Sequence, residues 1–157
     1  MISIYDEIWK LAQENTAAKS LVFEDMQLTR IQFCNLANGL ANELAKLGIT
    51  KGPIAINAPS QLAAIATASC LQLGVASMKY SQAQAELAEL VITAEPLETT
   101  TPQLVLDEQT LTRFVSAQAM PIEHGFESLD SICRIVFTSG TTGNPKPVEI
   151  TVRRAML

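Results

Sequence analysis

The order of apolar segments between residues 53 and 93 constrains the fold of this chain more than any other feature. The predicted elements are a strand over residues 53–57, a helix over 60–73, a strand over 75–78 and a helix over 82–93. Ser60 is expected to cap the first of these helices, and Gly74 to end it. Strands that alternate with helices at this spacing are typical of βαβ units, whose crossover connections produce a parallel sheet. The sequence therefore predicts the α/β fold class.

The residues before this region predict two helices and a hairpin. Ile4, Ile8 and Leu11 recur at helical spacing, so a short amphipathic helix is expected first. Residues 21–29 alternate around Glu24-Asp25 and predict a small β-hairpin. A long helix should follow, because Thr29 and Gln32 form a capping box. This helix is expected to end at Gly48, and its expected apolar stripe consists of Phe33, Leu36, Leu40, Leu44 and Leu47.

The composition favours one domain and excludes several classes of protein. At 157 residues, 48% hydrophobic and 17% charged, the chain can bury a core, which excludes a disordered tail. It has 11 basic and 16 acidic residues, a net charge of −5 and no basic cluster. Only 5% of the residues are aromatic. This balance argues against binding to nucleic acid or to an anionic membrane surface.

The distribution of charges and cysteines predicts a cytoplasmic chain. Residues 52–78 lack charged side chains, but Pro59, Gln72 and Gly74 interrupt them, so we expect a buried strand and helix, with no membrane insertion. Asp6 and Glu7 lie where a secretion signal would have its apolar run. The three cysteines are widely spaced, as is typical of reduced thiols.

The pattern divides the chain into three parts. Residues 1–94 predict the α/β core, and residues 95–131 an irregular connection with one strand over 103–107. Residues 132–157 predict a strand, a loop and a second strand. The loop reads Thr138-Ser-Gly-Thr-Thr-Gly-Asn-Pro-Lys-Pro147.

This loop has the composition of a phosphate-binding loop. Glycines allow close approach of the backbone, successive amides can surround an anion, and Lys146 adds positive charge. An ordinary surface turn also favours Gly, Pro, Asn and Thr. The loop is not a P-loop of the Walker A type, because only two residues separate Gly140 from Gly143 and Pro145 precedes the lysine.

Residues 137–148 closely resemble the phosphate-binding signature of the adenylate-forming superfamily. That superfamily comprises acyl- and aryl-CoA synthetases, adenylation domains of nonribosomal peptide synthetases, and luciferases. Its signature reads hydrophobic-Thr-Ser-Gly-Thr-Thr-Gly-x-Pro-Lys-Gly-Val. Residues 21–29, 35–41, 47–53 and 68–76 are also similar to the family, whereas the resemblance is weakest over 95–130. It implies the parallel-sheet βαβ core of the family's N-terminal domain.

The resemblance implies a two-step ligation. A carboxylic acid attacks the α-phosphorus of ATP, carried with Mg²⁺, to give an acyl-adenylate and pyrophosphate. The thiol of coenzyme A or of a carrier protein then usually displaces AMP. By motif match, the ligands of the ATP phosphates would be Thr138, Ser139, Gly140, Thr141, Thr142, Gly143 and Lys146. The resemblance also implies that no catalytic residue and no metal ligand of the family falls within these 157 residues.

Three departures from the family pattern keep a second interpretation open. Pro147 stands where the family usually has Gly, so that position has no N–H and Lys146 is biased toward an extended backbone. Residues 78–81 replace the usual Val-Pro-Leu-Asp/Asn turn, and Val152 stands where many members have a histidine. The alternative is an α/β interaction module that has lost adenylation. A third interpretation, a flavodoxin-like domain with a coincidental turn, conflicts with the length of the motif match.

The remaining expectations concern the extent of the chain and its other reactive residues. The family's acid-binding pocket, adenine contacts and C-terminal domain have no counterpart here. We therefore expect an N-terminal fragment that is inactive alone and that can self-associate through a surface exposed by truncation. His124 is expected to be an ordinary loop residue, and Cys34 and Cys70 to be buried structural thiols.

Overall fold

A computed structural model describes residues 1–23, 26–139 and 143–157 of the chain. The helices are α1 Tyr5–Glu14, α2 Arg30–Lys46, α3 Ser60–Leu73, α4 Glu108–Ala117 and α5 Val152–Ala155, with a 3₁₀ helix over Gln82–Leu87. The strands are β1 Lys19–Phe23, β2 Met26–Thr29, β3 Ile54–Asn57, β4 Ser77–Lys79, β5 Leu90–Thr93, β6 Gln103–Val105, β7 Ile132–Thr138 and β8 Lys146–Thr151. The hairpin turn expected at Glu24-Asp25 lies outside the described residues.

Six strands form one sheet in the order β6-β5-β3-β4-β7-β8. All neighbours are parallel except β7 and β8, which pair antiparallel. The predicted α/β class with a parallel-sheet core is therefore confirmed, with one antiparallel strand at the edge. The predicted hairpin is also confirmed, because β1 and β2 pair antiparallel in a separate sheet.

The main core lies between one face of this sheet and helices α2 and α3. Ile54 on β3, Ile92 on β5 and Leu40 on α2 are completely buried in it. On the other face, a smaller cluster contains the buried Met78 and Val91. The helical layer therefore covers one face of the parallel strands. In the strand order, β8 lies at one edge of the sheet.

Helix α2 begins as its sequence predicts. The side chain of Thr29 accepts a hydrogen bond from the Gln32 amide at 3.3 Å, and the Gln32 side chain accepts one from the Thr29 amide at 2.9 Å. The predicted apolar stripe ends earlier than expected, however. Leu47 is 54% exposed because the helix stops at Lys46 and the chain turns there.

The predicted helix over residues 82–93 is wrong. Its first half is the 3₁₀ helix, and its second half is β5, whose four residues are all buried. β5 pairs with β3 on one side and β6 on the other, so sheet pairing on both sides outweighs the local helical pattern.

Two boundaries also differ from the sequence prediction. Pro59 occupies the N-cap of α3 and Ser60 is its first helical residue, without a side-chain cap. Proline suits this position because its nitrogen has no hydrogen to satisfy. The strand expected over residues 75–78 is β4, shifted to Ser77–Lys79. Gly74 ends α3 in the left-handed conformation, with φ +77°, as predicted.

The structure differs most from the sequence prediction within residues 95–131. This part contains β6 and also helix α4, which the sequence pattern did not predict. Asp107 caps α4 by accepting a hydrogen bond from the Thr110 amide at 2.7 Å. No helix in the described part of the chain has both the length and the apolar character that crossing a bilayer requires.

Candidate functional site

The loop singled out by the sequence joins the two strands of an antiparallel hairpin. Thr138 ends β7 and pairs with Lys146, the first residue of β8. The Thr138 hydroxyl also donates a hydrogen bond to the Lys146 carbonyl, at 3.4 Å. The strand pairing therefore brings both ends of the loop together.

The loop lies at the carboxyl end of the parallel strands. β7 runs parallel to β4, with Ser77 opposite Arg134 and Met78 opposite Ile135, so its carboxyl end points the same way as those of β3 and β4. Ligands of open α/β sheets bind in the crevice outside the carboxyl ends of the strands. The loop's position in the sheet is thus one where ligand binding is typical.

Apolar side chains that the sequence did not single out as functional hold β7 in place. Ile135 and Phe137 pack with Tyr80 against the buried Met78 cluster. Their spacing by two residues places both on one face of the strand. The alternation within residues 132–137 is the sequence signal that could have identified them.

The described candidate ligands are accessible to solvent. Thr138, Ser139, Gly143 and Lys146 are all exposed. Gly143 has φ +80°, and no atom of the described residues lies within 4 Å of the position that a Cβ would occupy. The glycine thus provides a backbone conformation that L-residues rarely adopt. The other candidates, Gly140, Thr141 and Thr142, lie outside the described residues.

Pro147 is accommodated at the edge of the sheet. It lies opposite Phe137 in β8, which among the described residues has a sheet neighbour on one side only. A residue without an N–H is tolerated in an edge strand, where it need not donate to a second neighbour. The extended backbone expected for Lys146 agrees with its place as the first residue of β8.

The other reactive residues do not join this loop. His124 is exposed and borders a cavity of about 840 Å³ near the amino ends of β3 and β7. These are the strand ends opposite to those that carry the loop. Cys34 and Cys70 are buried in the main core, as expected, and Cys133 is buried in a smaller cluster. Burial raises the pKa of the Cys70 thiol to about 12. The described residues contain no group of three His, Cys, Asp or Glu that could hold a metal ion.

The comparisons with known proteins match the adenylate-forming resemblance. A family model described as AMP-binding enzyme matches residues 58–157, more than half of the chain. Fatty acyl-CoA synthetase A of Dictyostelium discoideum is 27% identical over 159 residues, covering 76% of this chain and 24% of its own length. D-lysergyl-peptide-synthetase subunit 1 of Epichloe festucae var. lolii is 29% identical over 169 residues, covering 95% of this chain and 5% of its own length.

A solved structure extends the likeness to the fold. The N-terminal subdomain of Klebsiella oxytoca NpsA, in complex with 3-hydroxybenzoyl-AMSN, superposes with a TM-score of 0.76 at 23% identity. The superposition covers 98% of this chain and 42% of that structure. The chain thus spans about a quarter or less of the length of the two curated relatives and less than half of this solved subdomain. On the family match, the chain belongs to the AMP-binding enzymes.

Proposed function

We propose that this chain supplies the phosphate-binding part of an AMP-forming ligase that activates a carboxylic acid with ATP. One observation carries the proposal: the hairpin loop between Thr138 and Lys146 presents hydroxyls, a lysine and a positive-φ glycine at the carboxyl edge of the sheet. Membership of the AMP-binding enzymes supports the same chemistry.

The proposed first step exchanges one bond to phosphorus for another. A carboxylate oxygen attacks the α-phosphorus of ATP, the bond from that phosphorus to the bridging oxygen breaks, and pyrophosphate leaves with the electron pair. In the second step a thiol sulfur attacks the acyl carbon, loses its proton and displaces AMP. The product is a thioester.

In this scheme the loop acts on the departing pyrophosphate. The β- and γ-phosphates gain negative charge as the bond breaks, and donors placed to meet that charge lower the barrier. Lys146 would contribute the positive charge, while Thr138 and Ser139 would donate hydroxyl hydrogen bonds. The chain as a whole has a net charge of −5, so its attraction for ATP must come from these local groups.

The second substrate follows from the relatives and is part of the proposal. One relative is named a fatty acyl-CoA synthetase and the other a peptide-synthetase subunit, which supports the thiol of coenzyme A or of a carrier protein. The acid is proposed to be a small-molecule carboxylic acid. Mg²⁺ would accompany ATP as a counter-ion of its phosphates. The three buried free thiols support a reducing, cytoplasmic setting.

Residues 1–157 alone are proposed not to catalyse adenylation. They span 42% of the solved subdomain that they resemble, and the described ligands serve only the phosphates. The second candidate, a non-catalytic α/β interaction module, is favoured by Pro147, which removes a backbone N–H next to Lys146.

Exchange of labelled pyrophosphate into ATP tests the proposal, with a panel of carboxylic acids. The longest product of the reading frame should exchange with at least one acid, and residues 1–157 alone should not. Lys146→Ala in the longer product should lower exchange by at least about tenfold, because it removes a charge that meets the leaving group. Lys51→Ala, an exposed lysine at the opposite edge of the sheet, is the matched control. Unchanged exchange in the Lys146 variant would rule out Lys146 as a phosphate ligand.

A further inference from the structure

A second groove borders the carboxyl end of β3 and the strand pair β4-β7. Its volume is about 290 Å³, and one wall is the first two turns of α3. Its lining includes Ser60, Ala63 and Thr67 of that helix together with Lys79 and Arg134 of the two strands. It thus combines two cations with two hydroxyls.

The sheet register places the two cations side by side. Arg134 on β7 lies opposite Ser77 on β4, and Lys79 is two residues further along β4. Residues two apart project to the same face of a strand, so Lys79 and Arg134 are diagonal neighbours. Such neighbours have Cα atoms about 7–8 Å apart, within reach of long side chains.

In the described part of the chain, these two positive charges have no acidic partner. No Asp or Glu of the described residues lines the groove, and none of their carboxylates lies within 4.0 Å of Lys79 or Arg134. Like charges on neighbouring strands repel each other, which costs stability unless an anion lies between them. A local double positive charge is unexpected in a chain with a net charge of −5.

The side chain of Arg134 lies toward α3, because it lines the same groove as Ala63 and Thr67 of that helix. The next residue, Ile135, packs in the Met78 cluster on the other face of the sheet, and successive side chains of a strand point to opposite faces. Arg134 therefore faces the helical side of the sheet, where the groove is.

This groove is separate from the loop at Thr138. Arg134 precedes Thr138 by four residues of extended strand, a distance of about 13 Å at the usual rise. One phosphate group cannot contact both places. Lys79 also falls within residues 78–81, where the sequence departs from the adenylate-forming pattern.

We propose that Lys79 and Arg134, with the hydroxyls of Ser60 and Thr67, form a second anion site that takes a phosphoryl group of a small molecule. Two cations match the two negative charges of such a group, and the hydroxyls can donate to its remaining oxygens. A groove of about 290 Å³ admits the phosphoryl group and a small part of the molecule attached to it.

Titration of inorganic pyrophosphate into the ¹⁵N-labelled 157-residue chain tests this site. We expect saturable shifts of the Ser60, Ala63 and Thr67 amides. Lys79→Gln and Arg134→Gln should each weaken the affinity measured at these amides by about fivefold, the scale of one exposed ion pair. Arg134→Lys should retain most of the affinity. Lys10→Gln, on the exposed side of α1, is the matched control.

The amide of Gly143 reports on the loop and so distinguishes binding there from binding in the groove. Lys146→Gln should weaken shifts at Gly143 and leave those of the groove unchanged. The site is refuted if the groove amides of the unaltered chain do not shift, or if they shift equally when both groove cations are replaced. It is also refuted if Lys146→Gln alone abolishes the groove shifts. Acetate should bind the groove more weakly than pyrophosphate, and equal binding would overturn the assignment to a phosphoryl group.

Discussion

Asn38 connects three parts of the interior through one buried side chain. Its Oδ1 accepts hydrogen bonds from the Tyr5 hydroxyl at 2.7 Å and from the Gln72 side chain at 2.8 Å. Its Nδ2 donates to the Ala119 carbonyl at 2.8 Å. The Gln72 side chain in turn accepts from the Ile122 amide at 3.2 Å. This network therefore fixes the segment after α4 to helices α1, α2 and α3.

Asn38→Ala should lower the free energy of unfolding by about 2–4 kcal/mol, because it leaves several buried polar groups without partners. Asn42→Ala is the matched control. Asn42 lies one turn later on α2, is only partly buried, and donates to the Asn38 and Met120 carbonyls. It should cost about 1 kcal/mol. Urea denaturation measures both, and equal losses would contradict the central role of Asn38.

At the scale of elements, Gly39 determines how closely α4 approaches α2. A Cβ at this position would lie 2.6 Å from the Cβ of Phe114, which is buried on α4. Glycine normally costs a helix about 1 kcal/mol relative to alanine, so its presence within α2 calls for such a packing reason.

Gly39→Ala should destabilise the fold by about 1–3 kcal/mol despite the better helix propensity of alanine. Thermal or urea unfolding measures the loss. Phe114→Gly should remove most of that penalty, since it takes away Cβ, Cγ and Cδ1, the three atoms that the new methyl group would meet. If the two changes are simply additive in a double-mutant cycle, the close contact does not control the packing.

The start of α4 should depend on pH through Asp107. Hydrogen bonds from Thr110 hold the pKa of this carboxyl below its usual value. A carboxyl with a lowered pKa in the folded state stabilises that state above its unfolded pKa, and the contribution is lost as the pH falls. The protection factors of the α4 amides against hydrogen exchange, which correct for the intrinsic pH dependence of exchange, should therefore fall below about pH 4. Asp107→Asn keeps the cap without the titration, so an equal acid response in that variant would contradict the assignment.

The elements that the sequence predicted well are those with local signals. Thr29 and Gln32 identify the start of α2 because both halves of the capping box lie within one turn. Helix α4 has a similar signal, since Asp107 precedes Leu111 and Phe114 at helical spacing, but it lies between irregular segments. β5 could not be recognised locally, because it is a strand only when β3 and β6 pair with it.

At the scale of the whole molecule, the candidate site depends on sheet order as well as on the motif. The motif identified the loop, and pairing of β7 with β4 places it at the carboxyl edge. The sequence alone could not bring Lys79 near Arg134, because these residues are neighbours only through the parallel register. The sequence signal that could have drawn attention to Arg134 is that it interrupts the apolar run of residues 132–137.

Calorimetric titration of ATP, with Mg²⁺, into the 157-residue chain measures phosphate binding by this loop. We expect saturable binding that Lys146→Ala weakens by at least about tenfold, while Lys51→Ala leaves the affinity unchanged. Absence of binding, or equal affinity in the Lys146 and Lys51 variants, would contradict a phosphate-binding loop between Thr138 and Lys146.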